Sequence, residues 1–168
     1  DEGIAKPILL GDKATIQKIA DDNFMDLTDM PIIDPRNDNE IAKNEILDND
    51  TTGVLILSFT ETFVGTPNDP NFDAYPEGNY IHDNVFGKNG LAPDPKIKAI
   101  VIAKPVSDVL TDGCVDPAKM NEMNTLTNCL KNNGSATYTD LQVCNGFKQT
   151  SDMAPVTCEQ PAVKPEAP

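Results

Sequence analysis

A single histidine, His82, stands directly before Asp83 in the stretch NYIHDN. An imidazole beside a carboxylate is the smallest pair that trades protons near neutral pH, so an outward-facing His82 and Asp83 would form a surface acid/base pair. A surface histidine without a catalytic part is the plainer reading, and the position matching His82 in the repeat described below is Ala42. A second group lies in NDPNFDAYPE, where Asp69, Asp73 and Glu77 stand among amide and carbonyl oxygens. Hard oxygen ligands in a flexible loop suit calcium, although the spacing is not that of the helix-loop-helix calcium loop; the alternative is a plain acidic loop. Met120 and Met123 offer soft thioether ligands of the kind copper takes, but at helical spacing beside Leu126 and Leu130 they read as core filler. Arg36, the one arginine, sits at the edge of the repeat, a poor place for a catalytic base. There is no phosphate-cradling glycine loop, nucleophile elbow, zinc spacing or haem motif. No residue is assigned a catalytic role, and the chain leans away from being an enzyme.

Charge narrows the partners. The 168 residues carry 13 basic and 27 acidic side chains, a net charge of −14. Such a surface repels phosphate backbones and anionic membranes, which argues against nucleic-acid and lipid-surface binding. No apolar run approaches the roughly eighteen residues needed to span a bilayer, and no signal-peptide pattern opens the chain, as expected of a mature or trimmed form. Cys114, Cys129, Cys144 and Cys158 lie at spacings of 15, 15 and 14 with no close C-x-x-C pair. That pattern reads as two disulfides in an oxidising compartment. Three pairings are open, with Cys114–Cys129 and Cys144–Cys158 mildly favoured. Asn49-Asp50-Thr51 and Asn133-Gly134-Ser135 match the glycosylation triplet.

Three segments must position these groups. In residues 1–32, GDKATIQKIADDNF predicts a short amphipathic helix, with Asp12 as N-cap and Ile16, Ile19, Ala20 and Phe24 on one face. In residues 33–109, GVLILSF and KIKAIVIA are short and rich in branched residues and predict strands, with a long loop over 60–78 between them. In residues 110–168, CVDPAKMNEMNTLTNCLKNNG predicts a second helix capped by Asp116, and SATYTDLQVCNGF predicts a strand turning at Asn145-Gly146. An extended, proline-rich tail ends the chain.

The strongest pattern is a beat. Asparagine recurs at 39, 44 and 49 and, in the same phase forty residues later, at 79, 84 and 89. Aligning the two sets places Ile41 on Ile81, Ile46 on Phe86 and Asp48 on Lys88. Repeats of this period mark solenoids, in which short strands stack in parallel and bury a common core. Asparagine suits the corners because it tolerates left-handed backbone and because its amide donates and accepts at once, so copies on successive turns can form a ladder.

The stretches NEIAKNEILDNDTTGVLILSF, DPNFDAYPEG and NYIHDNVFGKNGLAPDP resemble the closing coils of bacterial secreted right-handed parallel β-helix repeat proteins of the pectate-lyase-like superfamily. NCLKNNGSATYTDLQVCNGF resembles their terminal cap, so the resemblance covers residues 37–158. It implies a mainly β chain: parallel β-helix coils, short flanking helices and a disulfide-fastened C-terminal cap. It also implies a secreted, periplasmic or outer-membrane-associated module, non-catalytic, that binds carbohydrate or a protein. Because so few coils fit this chain, another chain or the remainder of a longer β-helix is expected to stack on the open coil end. The alternatives are a polysaccharide lyase, hydrolase or epimerase of that superfamily, and a type IV pilin-like surface subunit.

Overall fold

The structure is a computed structural model that describes residues 8–10, 32–33, 39–58, 73–122 and 126–161. The described chain is mainly β, and its strands are very short. The sequence explains their length. Motifs such as Glu-Ile-Ala, Glu-Ile-Leu and Tyr-Ile-His supply one inward apolar side chain between two outward residues, and an asparagine follows within two residues. The strands are β1 (Ile8–Leu10), β2 (Ile32–Ile33), β3 (Glu40–Ala42), β4 (Glu45–Leu47) and β5 (Val54–Ile56). They continue with β6 (Tyr80–His82), β7 (Val85–Gly87), β8 (Val109–Thr111), β9 (Cys129–Lys131) and β10 (Tyr138–Asp140).

These strands form three sheets, ordered β3-β6-β9, β4-β7 and β10-β8-β5-β1-β2. Every pairing between them is parallel. Ile41 lies opposite Ile81 and Ile46 opposite Phe86, the register that aligning the asparagines predicts. Leu130 extends the first column and Tyr138 extends Val54–Val109. The inward side chains of all three sheets, among them Ile41, Ile46, Val54, Ile81, Val109 and Leu130, meet in one buried cluster. A strand this short has no stability of its own. Burial of that shared column holds the sheets together, at about 25 cal/mol per Å² of apolar surface.

Asparagine ladders join the passes of the chain. Asn79 Oδ1 accepts from the backbone N and Nδ2 of Asn39, at 3.2 and 2.8 Å. Asn128 Oδ1 does the same for Asn79, at 3.0 and 2.8 Å. The second ladder runs Asn44–Asn84–Asn133. The third runs Asn49–Asn89 and ends on the carboxylate of Asp108, 2.8 Å from Asn89 Nδ2. The spare amide hydrogens of Asn84, Asn89 and Asn133 go back to the carbonyls of Ile41, Ile46 and Ile81.

The left-handed residue at each corner is not the asparagine. Lys43, Asp48, Asp83, Lys88 and Asn132 carry φ between 54° and 61°, each directly before a ladder asparagine. The preceding residue makes the bend, and this frees the asparagine to point inward. Left-handed backbone costs an L-residue on the order of 1–2 kcal/mol, so the lysines are held there by the ladder bonds on either side. At Gly90 the constraint is stricter. Its φ is +74°, and a Cβ would lie 2.0 Å from the Val106 carbonyl oxygen.

Several expectations are corrected. KIKAIVIA is not a strand: Pro95–Ile100 form helix α1, because Asp94 caps it by accepting from Lys96 N at 2.8 Å and Pro95 opens it. With Val101 and Val106, Ile97 of α1 covers Leu55 and Leu110 on the outward face of the largest sheet. The stretch predicted as one helix after Asp116 holds a 3-10 helix at Pro117–Glu122, and its Cys129–Lys131 part is strand β9. Asn128 and Asn133 carry the five-residue beat onward, and pairing with β6 overrides the helical spacing. Met120, read as core filler, is 59% exposed. Strand β1, in the segment read as helical, pairs with β5, and β2 pairs with β1. The helix predicted around Ile16 and Phe24, Arg36, Asp69, Met123 and most of the 60–78 loop lie outside the described residues.

Replacing Asn84 with alanine removes the partner of the Asn44 N–H and of Ile41 O and leaves Asn133 Oδ1 with the residue-84 backbone N–H alone. Asn84→Ala should therefore lower stability by about 3 kcal/mol in urea unfolding, and Asn44→Ala, at an exposed rung, by about 1 kcal/mol. Equal losses would show that the ladder interior is no drier than its end.

Candidate functional site

The outward face of the β3-β6-β9 sheet gathers the titratable groups singled out in the sequence. His82 and Tyr80 project from the same side of β6, and their rings stack with centroids 4.0 Å apart. His82 Nδ1 lies 2.7 Å from Asp83 Oδ2, and Nε2 lies 2.8 Å from Glu40 Oε1 on the neighbouring strand. The imidazole side chain is 13% exposed, against 32% for Glu40 and 43% for Asp83. Asp83 can reach His82 because its φ of 54° folds its side chain back along the strand.

Both ring nitrogens face carboxylates, so the stable form is the imidazolium, donating twice. The bond to Asp83 raises the His82 pKa most; partial burial opposes it, and the bond to Glu40 raises it further. Asp83 is held below the usual carboxylate range, first by His82 and then by Asn132. In that protonated form the ring has no lone pair to offer a substrate. It acts as a cross-strand clasp between β3 and β6. Lys131, opposite His82 on β9, pairs instead with Glu159 of the tail.

Of the calcium set, Asp73 and Glu77 converge on a lysine. Lys119 Nζ contacts Asp73 Oδ2 and lies 3.3 Å from Glu77 Oε2 and 3.8 Å from Asp116 Oδ2. Asp73 is the main cause of the raised Lys119 pKa. Glu77 is 1% exposed and also accepts from Asp116 N at 2.5 Å. An internal ammonium thus occupies the place a hard cation would take. Among the described residues, no group of three or more His, Cys, Asp or Glu is set for a metal ion.

The disulfides are Cys114–Cys144 and Cys129–Cys158, not the neighbour pairing. The parallel register dictates the first. Thr111 lies opposite Asp140, an offset of 29, which brings Cys114 beside Cys144, one residue beyond the strict register. The second ties the head of β9 to the tail, which packs Val156 and Met153 against the core and reaches Thr127 O through Gln160 Nε2 at 2.9 Å. Thr150 bridges antiparallel to Asp140, so the last pass is covered. Below this cover, Asp112 accepts from Ser58 N and Oγ and from Cys114 N. Asp140 stands close by and is pushed up by burial and by Asp112, against a bond from Gln142 N. Gly113 is required between them, since a Cβ there would meet Asp140 Oδ1 at 2.1 Å. The glycosylation asparagines, Asn49 and Asn133, are ladder rungs only 6% exposed, closed to a glycan in the folded chain.

A cleft of about 230 Å³ lies apart from these groups, between Gly90–Pro93 and Val101–Val106, and its charged lining is Lys98 and Lys104. No protein-family model, curated protein or solved structure matches the chain, so its own geometry carries the functional argument.

The pKa directions fix a pH dependence. His82 is raised above its ordinary 6.5, so its contribution is full below that value and is lost as pH rises through the folded pKa. Asp140, raised above 3.8, has the same sign beginning at lower pH. Asp83, lowered, contributes above 3.8 and loses that only in stronger acid. The urea midpoint should fall as pH rises above 6.5, with His82→Gln flattening that fall. A midpoint that rises through this window would refute the clasp.

Proposed function

We infer that the chain is a right-handed parallel β-helix module of an extracytoplasmic protein, acting by binding rather than by turnover. The observation that carries this reading is the register itself. Parallel partners recur forty residues apart in two sheets, with asparagine ladders at the corners between them. Parallel crossovers are right-handed in nearly all proteins, which supports the right-handed reading. Two disulfides favour an oxidising compartment, and no helix among the described residues is long and apolar enough to cross a membrane. A secreted, periplasmic or outer-membrane-associated bacterial surface protein fits these features.

The binding reading is favoured over a superfamily lyase, hydrolase or epimerase because both nitrogens of His82 are engaged by carboxylates and Lys119 is held as an ammonium by three more. Neither is a free base. The pilin-like alternative calls for antiparallel strands, and the strand pairings here are parallel. The outer face of β6, with Tyr80 against His82 between Glu40 and Asp83, offers an aromatic surface edged by hydrogen-bonding groups, the combination that holds a sugar ring.

Two measurements test this. Hydrogen exchange should show the amides of Asn44, Asn49, Asn79 and Asn84 as a protected set, since each donates to a ladder carbonyl oxygen. Incubation with acidic polysaccharides, with and without calcium, should release no product. Product that disappears in His82→Ala would replace the binding reading with the enzymatic one.

A further inference from the structure

The two ends of the stack differ. The last pass is closed by the tail, the Thr150 bridge and two disulfides. At the opposite end, the five-stranded sheet runs on past β5 to β1 and β2, but β4 has a strand, β7, on one side only among the described residues.

The hydrogen bonds say what that edge would take. Val85 N donates to Asn44 O, and Asp48 N to Gly87 O. In a parallel ladder alternate residues face alternate neighbours, so the N–H and C=O of Glu45 and Leu47 point away from β7. The side-chain ladders have the same direction. In every rung an asparagine Oδ1 receives the N–H and Nδ2 of an asparagine one pass earlier. Asn44 Oδ1 and Asn49 Oδ1 face the same way and receive no donor among the described residues. The Nδ2 of Asn44 has no carbonyl of an earlier pass to meet, and it turns to Ala42 O of its own strand at 3.0 Å.

Building on the β-helix reading above, we propose that the β4 edge is a docking site for an extended strand of another polypeptide carrying Asn-x-apolar-x-x-Asn. This chain writes that pattern five times, beginning at Asn39, Asn44, Asn79, Asn84 and Asn128. The incoming strand adds to the sheet by backbone bonds, and its two asparagines complete the rungs at Asn44 and Asn49. Its apolar residue takes the register of Ile46 and Phe86. Charge selects among such strands. Glu45 and Asp48 flank the edge, and the next pass already answers Asp48 with Lys88 at 3.8 Å. The partner strand is therefore lysine-bearing at its outward positions.

The test uses the full chain and a short fluorescein-labelled peptide centred on Asn-Lys-Ile-Lys-Gly-Asn, followed by anisotropy. Saturable binding is expected below about 1 mM. N-methylating the peptide at its isoleucine and glycine, the amides that would meet β4, should weaken binding at least tenfold without touching the protein. Glu45→Pro removes an outward N–H the fold leaves unused and should abolish binding. No saturation near 1 mM, or binding indifferent to both N-methylation and Glu45→Pro, overturns the proposal. Exchange protection of the Asn44 and Asn49 amides is measured in the same samples. If it persists while the peptide fails, docking alone is wrong; if it is missing, the β-helix reading falls first.

Discussion

An amide that both gives and takes a hydrogen bond, placed every five residues, is the constraint on which the described structure depends. Strands of three residues cannot fix their own register, because a slip of one residue turns the single apolar side chain outward. The asparagines prevent that slip. Asn79 lies opposite Asn39 and Asn84 opposite Asn44, so Ile81 has no choice but to lie on Ile41. The ladder is buried at its centre, where Asn79 is 0% and Asn84 3% exposed. There an unmatched amide would cost more than the left-handed backbone that positions it.

The same constraint explains where the ladders stop. The third one ends on Asp108, whose second oxygen accepts from Thr137 N and Oγ1. A carboxylate only accepts, so it can take the last amide hydrogen and then be satisfied from elsewhere, whereas asparagine would pass the demand onward. Beyond that point the chain crosses directly from Asn133 to β10, and the β4-β7 sheet has no third described strand. The tail and disulfides then cover what the ladder no longer organises.

The asparagine beat made the first two sheets legible before any coordinates, down to the pairs Ile46 with Phe86 and Asp48 with Lys88. The third pass was hidden by competition between periods. Met120, Met123 and Leu130 fall at helical spacing, while Asn128 and Asn133 fall at the spacing of the ladder, and long-range pairing decided for the ladder. Asp94-Pro95 was a helix start in plain view, masked by the branched residues that follow it. For the candidate site, His82 beside Asp83 could be read directly. Glu40 could not, because its approach depends on a register forty residues long. The Lys119 carboxylates and the cysteine pairing were likewise set by strands the local sequence does not name.

The Cys129–Cys158 bond gives the molecule a mechanical property as well as a thermodynamic one. Tension applied at the C-terminal end reaches Cys158 and crosses the sulfur bridge to Cys129 at the head of β9. Residues 130–157 are bypassed and bear none of the load. Force along the strand direction is delivered instead to the backbone bonds between β9 and β6, which lie across it and must shear together. A pull on the tail therefore tests the strongest part of the stack and leaves its cover in place.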